Sequence, residues 1–245
     1  MQHKYSMFFL GATLAFGLAI SAYIIGQAAI KATKDITTIR VKGSSMRLVE
    51  SNFAHWSGEY TVTNRDQKNG LDKLDETREI VKKYLIDSGF KAENLSFGRI
   101  YCEPVFDYIT DAKGNRTSKF SHYSLRQTVT VSSPQVHVIE KVSRESTTLI
   151  KKGFEFKSNS PSYIIENLDK YKMELLAEAT KNATERANVL VNNSKGKVGE
   201  LVSASQGIFQ ITAPASSDIS SYGEYDKTTI MKEVKAVVTL DFKVE

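Results

Sequence analysis

Four histidines, His3, His55, His122 and His137, and a single cysteine, Cys102, are the side chains of this sequence best suited to chemistry near neutral pH. Their spacing assembles no familiar site. No histidine has a second histidine or a cysteine at metal-ligand spacing, so no residue is assigned to a metal. His55, beside Trp56, falls on the less buried side of an alternating stretch, where a solvated or packed imidazole is the simpler reading. His122, followed by Tyr123, can meet Asp107 across a hairpin, but as a surface hydrogen bond. Asp72, Asp75, Glu76 and Glu79 interleave with Lys73, Arg78, Lys82 and Lys83, which i,i+4 ion pairing explains more simply than general acid–base work. No nucleophile elbow, phosphate-binding glycine loop or kinase-type set occurs. Cys102 stands alone and reads as a buried, inert thiol. No catalytic, cofactor-binding or metal-binding residue is assigned, and the expectation is a protein that is not an enzyme.

The composition narrows the remaining classes. The 33 basic and 28 acidic residues give a net charge of +5, yet they are interleaved as on solvated helix faces, with no dense basic stripe beside aromatics. That excludes nucleic acid as a partner. About 41% hydrophobic residues over a chain of 245 is ample for one sizeable core or two small linked ones.

Residues 7–30 carry no charged side chain, and at about 1.5 Å of helical rise per residue such a run crosses a bilayer. Residues 1–34 are therefore expected to be a membrane anchor or uncleaved signal, contacting lipid through residues 7–30, ahead of a domain over 35–245. A cleaved signal competes with this, since Gly26, Gln27 and Ala28 suit a signal peptidase. Lys4 precedes the segment whereas Lys31, Lys34, Arg40 and Lys42 follow it, a count that favours a cytoplasmic domain; a short tail before a large C-terminal domain is instead the geometry of export. Gly11, Ala15 and Ala19, and Ala22 with Gly26, recur at the four-residue spacing that lets membrane helices approach closely.

Three glycines punctuate the rest. Gly89, Gly153 and Gly196 each follow a periodic apolar stretch, as residues at left-handed helix ends do. This predicts helices over about 66–88, from the Ser133-Pro134 pair to 152, and over about 169–194. The third carries a narrow stripe of Leu176, Ala179, Ala183, Ala187 and Leu190, suited to close packing. Strands alternate between these helices, at Ala54, Trp56, Gly58, Tyr60 and Val62, at Leu125, Gln127, Val129 and Val131, and at Ala236, Val238, Leu240, Phe242 and Val244. Two hairpins follow, 95–109 returning as 119–131 and 198–211 returning as 233–244. Residues 213–229, with Pro214 and several serines, read as a mobile tip that can serve as a contact arm. A faint repeat emerges: halves at about 50–132 and 160–245 are each strand-helix-strand-strand, linked by the helix over 133–152. The expected fold is α+β, two such units with mainly antiparallel sheets, preceded by one N-terminal transmembrane helix.

The run from Ala179 through Thr184, Arg186 and Ala187 to Leu190, followed by Gly196, Lys197, Val198 and Gly199, resembles the alanine-spaced helix and glycine-punctuated strand entry of the SIMPL-domain family. Val41-Lys42-Gly43, the strand from Tyr123 to Val131 and Gly153-Phe154-Glu155-Phe156 resemble three further pieces of that family in order, so the likeness covers about 39–244. Ser51-Asn52 stands where the family commonly has a proline-aspartate pair. The resemblance implies a bacterial envelope protein, related to periplasmic 28-kDa immunogens and stress-associated envelope proteins, some of which look like parts of hollow homo-oligomers. The expectation is thus a single-pass inner-membrane protein with its domain in the periplasm. It self-assembles into a ring or cage with a scaffold or stress-protective role. The alternatives are a monomeric or dimeric module binding an envelope ligand, and a cytoplasmic signalling adaptor.

Overall fold

The computed structural model describes residues 2–32, 37–110, 114, 116–216 and 222–245, with side chains in the first helix described for 11–27. The order begins with α1 (Gln2–Ala32), β1 (Thr38–Glu50), β2 (Phe53–Asn64), α2 (Gln67–Asp87), β3 (Leu95–Phe97), β4 (Tyr101–Thr110) and β5 (Arg116–Ser133). It continues with α3 (Val136–Glu145), β6 (Glu155–Ser158), β7 (Ser162–Ile164), α4 (Leu168–Asn193), β8 (Val198–Gln206), β9 (Gln210–Thr212) and β10 (Met231–Val244). The fold is α+β, and the described registers are antiparallel. Both expected hairpins form, each with its first arm split in two: β3 and β4 lie on β5, and β8 and β9 on β10. The chain divides into two compact units, one of Ser45–Glu178 with Ile208–Val237, the other of Met1–Ser44, Ala179–Gly207 and Val238–Glu245.

The larger unit is built on a sheet of order β3-β5-β2-β6, with β4 beside β5 and β7 beside β2. Period-two alternation sends Trp56, Tyr60, Val62, Leu125, Val129 and Val131 to one face, where Leu74, Val81 and Leu85 of α2 and Ile139 and Val142 of α3 meet them. Asp66, extended, starts α2 by accepting the Asn69 N–H at 2.8 Å, and Gly89, at φ +104°, follows its end. One polar pair is buried with the core. Tyr60 Oη donates to Gln127 Oε1 at 2.5 Å, and Gln127 Nε2 donates to the Gly98 carbonyl at 2.7 Å. Burial, which disfavours the phenolate, pushes the Tyr60 hydroxyl well above its usual pKa.

In the smaller unit α4 lies against β1. Ala179, Ala183, Ala187 and Val191 are buried, and Gly43 sits so close that a Cβ there would lie 2.2 Å from the Ala179 carbonyl oxygen. Polar contacts hold this approach: Ser44 N–H donates to Asn182 Oδ1 at 3.2 Å, and Arg186 donates to the Lys42 carbonyl at 3.2 Å. Val238 to Val244 of β10 pair with β8, and Asp241 accepts from Arg40 at 2.7 Å and from Ser203 Oγ at 2.6 Å. The Arg40 and Ser203 hydrogen bonds bring the Asp241 carboxyl down to about 2. A carboxyl depressed in the folded state stabilises it above the ordinary value near 4 and loses that contribution as pH falls towards 2. Acid unfolding followed by circular dichroism should therefore show a component between about pH 4 and 2 that Asp241→Asn removes. An identical acid profile for the variant would refute this.

Several expectations are corrected. Ser133 ends β5 instead of capping a helix; its hydroxyl still accepts the Gln135 N–H at 3.1 Å, and α3 begins at Val136. Residues 146–152 of the linking segment form 3₁₀ turns, in keeping with the poor helix formers Ser146, Thr147 and Thr148. The left-handed residue after α4 is Lys195, at φ +61°, not Gly196. Gly196 is small for another reason, because Val191, Val244 and the Glu245 carbonyl lie 3.1–3.3 Å from where its Cβ would stand. The buried stripe of α4 starts at Leu175 and ends at Val191, with Leu190 exposed, because i,i+4 steps from Ala179 and Ala187 reach those residues.

α1 is one unbroken helix, with Leu14, Phe16, Leu18, Ile20, Tyr23, Ile24 and Ile25 all exposed. Among the described residues no helix is long and apolar enough to cross a membrane. The side chains described in α1, residues 11–27, span roughly 25 Å against the ~30 Å of a hydrocarbon core.

Candidate functional site

The side chains singled out for chemistry are dispersed. His55 Nδ1 lies 2.8 Å from Ser132 Oγ on the sheet face opposite the core, and His137 Nε2 lies 2.7 Å from Glu50 Oε1 on an exposed helix face. His122 does not meet Asp107: the register pairs His122 with Val105 and Asp107 with Lys119, and the hydroxyl beside the imidazole, at 3.1 Å, is Ser121's. Of Asp72, Asp75, Glu76 and Glu79, one makes a described ion pair, Glu79 with Lys82 at 3.7 Å and at i,i+3 spacing, while the i,i+4 pair of this helix joins Lys83 to Asp87 at 3.2 Å. His3 lies where no side chain is described. Among the described residues no three of His, Cys, Asp or Glu are grouped to hold a metal.

What the fold does assemble is a ribbon and a groove. β2 pairs with β5 only as far as Asn64 opposite Tyr123, yet β5 continues back to Arg116, paired there with β4 alone. This ribbon therefore runs past the sheet that supports it, for roughly 20 Å at ~3.3 Å per residue. Cys102, Pro104, Phe106 and Tyr108 alternate on one face of β4, the face that buries Leu125 at its base. A bulge between Val105 and Phe106 sets Phe120, not Ser121, opposite Phe106, and so keeps Phe120 in line with Tyr123. The rings confirm the alignment, with centroids 6.1 Å apart for Phe106 and Phe120 and 5.0 Å for Phe120 and Tyr123. Nothing covers this stripe among the described residues: Phe106 is 46% exposed, Tyr108 79% and Phe120 40%. At the ribbon's base a groove of about 610 Å³ opens between α2 and β4, lined by Leu71, Ile100, Cys102 and Leu125 and by the first residues of α2. Cys102 is half-buried there, not sealed in the core. The sequence signal for the ribbon was the length of the paired strands against the shorter β2, and the bulge that aligns its rings left none.

A second constellation fastens the segment before β10. Lys232 is fully buried and donates from Nζ to the carbonyls of Asp226 at 2.6 Å and Thr229 at 2.7 Å, with Asp226 Oδ2 at 3.4 Å. Asp226 Oδ1 accepts from Thr228 N–H at 2.8 Å and Thr228 Oγ1 at 2.7 Å, and Oδ2 accepts from the N–H and hydroxyl of Thr229. Burial lowers the Lys232 pKa, opposed by the Asp226 charge. Burial alone would raise the Asp226 carboxyl, but the Thr229 and Thr228 hydrogen bonds and the Lys232 charge hold it far below the usual range. Tyr225 Oη accepts the Ile165 N–H at 3.1 Å, and the Lys227 carbonyl accepts the Tyr163 N–H at 2.8 Å. The expected mobile tip is thus anchored from Tyr225 onward, while residues 217–221 lie outside the described residues.

These arrangements hold backbone and present apolar surface; none of them sets a nucleophile against a base and an oxyanion donor. No curated protein matches the chain. The family model for SIMPL, described as a protein of unknown function, DUF541, matches residues 39–242, from the second residue of β1 to Phe242 in β10. The match takes in every described element after α1, and the chain belongs to the SIMPL family.

Proposed function

We propose that this protein is a non-enzymatic envelope scaffold, tethered to a membrane by α1, with its domain in the periplasm, and self-associating into a large homo-oligomer. The observation that carries the reading is uncovered apolar surface. Contiguous exposed apolar side chains on a folded domain mark a contact, and the aromatic stripe of the ribbon is such a surface. Residues 11–27 of α1 carry no charge and expose apolar side chains on every side, and the uncharged stretch from 7 to 30 is longer than that described part. The periplasmic side is supported by what the SIMPL resemblance implies and by an export-type N-terminal segment.

The test is the mass of the full-length protein extracted in detergent. A single large species is expected in sedimentation at micromolar concentration, and a reporter active only outside the cytoplasm should work when fused after Glu245. A monomer, or activity only from a cytoplasmic reporter, overturns the corresponding half. A monomer would favour the second reading, a binding module for an envelope ligand, which has in its support the groove beside Leu71 and Cys102.

A further inference from the structure

We propose that the ribbon of one copy seats in the groove of a second, with Tyr108 entering beside the partner copy's Cys102, reciprocally about a two-fold axis. The proposal rests on the self-association reading and names one pairwise contact within the assembly, which alone closes at a dimer and leaves further growth to a second surface. Knob and hole lie on the same face of the same ribbon. Tyr108 is the most exposed ring of the stripe, and the groove lies at the stripe's other end, six residues along β4. A two-fold axis laying two ribbons antiparallel and face to face brings each tip to the other's base, because the tip-to-base distance is the same in both copies. The axis then passes midway between positions 102 and 108, where Phe106 and Phe120 already pack edge to face and meet their own copies. The area suits a second copy better than a small ligand. The stripe leaves on the order of 500 Å² of side chain bare, and the exposed parts of Leu71 and Ile100 bring it to roughly 700 Å² per copy. A standard interface buries about 800 Å² per partner. A ribbon paired only with itself is also marginally stable in water, so a partner across its apolar face supplies what the sheet does not.

The lone cysteine makes the contact testable. Positions 102 and 108 lie roughly 20 Å apart within one chain, far beyond the ~7 Å Cα separation a disulfide tolerates, so a bond between them must join two copies. Mild oxidation of full-length Tyr108→Cys in detergent should give a reducible dimer on a gel, absent from wild type and from the Tyr108→Cys/Cys102→Ala double variant. A dimer that persists without Cys102 means tips meet tips, and one formed by wild type means bases meet bases; either overturns the proposal. No dimer, in a protein that still sediments as an oligomer, overturns the seat and gives the groove to another occupant while self-association stands. A monomeric wild type ends both. Independently of cysteine chemistry, Tyr108→Lys should weaken association at least tenfold with unchanged circular dichroism, and unchanged association would count against the seat.

Discussion

Gly43→Ala should destabilise the protein by about 3 kcal/mol or more, although it adds a single methyl group. The added carbon would lie 2.2 Å from the Ala179 carbonyl oxygen, 2.5 Å from the Ala183 nitrogen and 2.6 Å from the Ala183 Cβ. Two of these neighbours are helix backbone, which cannot rotate away as a side chain end can. Either α4 moves off β1, uncovering Ala179, Ala183 and Ala187, or the strand buckles and loses the Ser44 and Arg186 hydrogen bonds that bracket Gly43. Gly98→Ala is the matched control, because the nearest atom to its Cβ is the Thr128 carbonyl oxygen at an ordinary 3.5 Å. Thermal unfolding should separate the two by several degrees or more. Equal midpoints would mean that α4 does not rest on β1 as described.

The same contact shows why the sequence disclosed so much of the fold. Ala179, Ala183 and Ala187 at four-residue spacing announce a helix with one slim side, and Gly43 in an alternating stretch announces a strand with room for it. Alternation and helix stops are local properties, so α2, β2, β5 and β10 could be read without tertiary knowledge. The failures at Gly196, His122 and Lys232 are non-local. Gly196 looks like a helix stop, but its smallness answers to Val244 and Glu245, distant in sequence, while Lys195 takes the left-handed turn. His122 and Asp107 would face each other only in a register two residues away, since His122 lies opposite Val105 and Asp107 opposite Lys119, and no local pattern in the hairpin fixes that register. Lys232 shares the parity of Val234 and Ala236 and is therefore buried, yet a lysine at that position reads as the place where the strand's buried face stops. Its partner six residues upstream lies in a loop, where no periodicity points to it.

That buried pair carries the second large effect. Asp226→Ala should cost about 3–5 kcal/mol, because it strands the Lys232 ammonium in a fully buried site with only carbonyls to face. Lys232→Met should cost much less, since it fills the same space without a charge and leaves Asp226 the four Thr228 and Thr229 hydrogen bonds. The double variant should then be more stable than Asp226→Ala alone, an inversion that only a coupled buried charge produces. The dependence on pH fixes the sign. Burial already lowers the Lys232 pKa, and removing Asp226 takes away the charge that opposes it. The unfolded chain then holds the proton to higher pH than the folded one, so Asp226→Ala should regain stability as pH rises towards the ordinary lysine value near 10.4. Denaturant midpoints at pH 7 and 9 measure this, and a midpoint for Asp226→Ala that matches wild type at both would show that no charge is buried there. The pair also decides how the 213–229 connection can be probed. A deletion from Ser216 to Asp226 removes the anchor along with the arm, and it would lower an oligomer's mass by unfolding the segment before β10 rather than by removing a clasp. Shortening confined to residues before Tyr222 leaves Tyr225, Asp226 and Lys232 joined, so any loss of assembly then belongs to the arm itself.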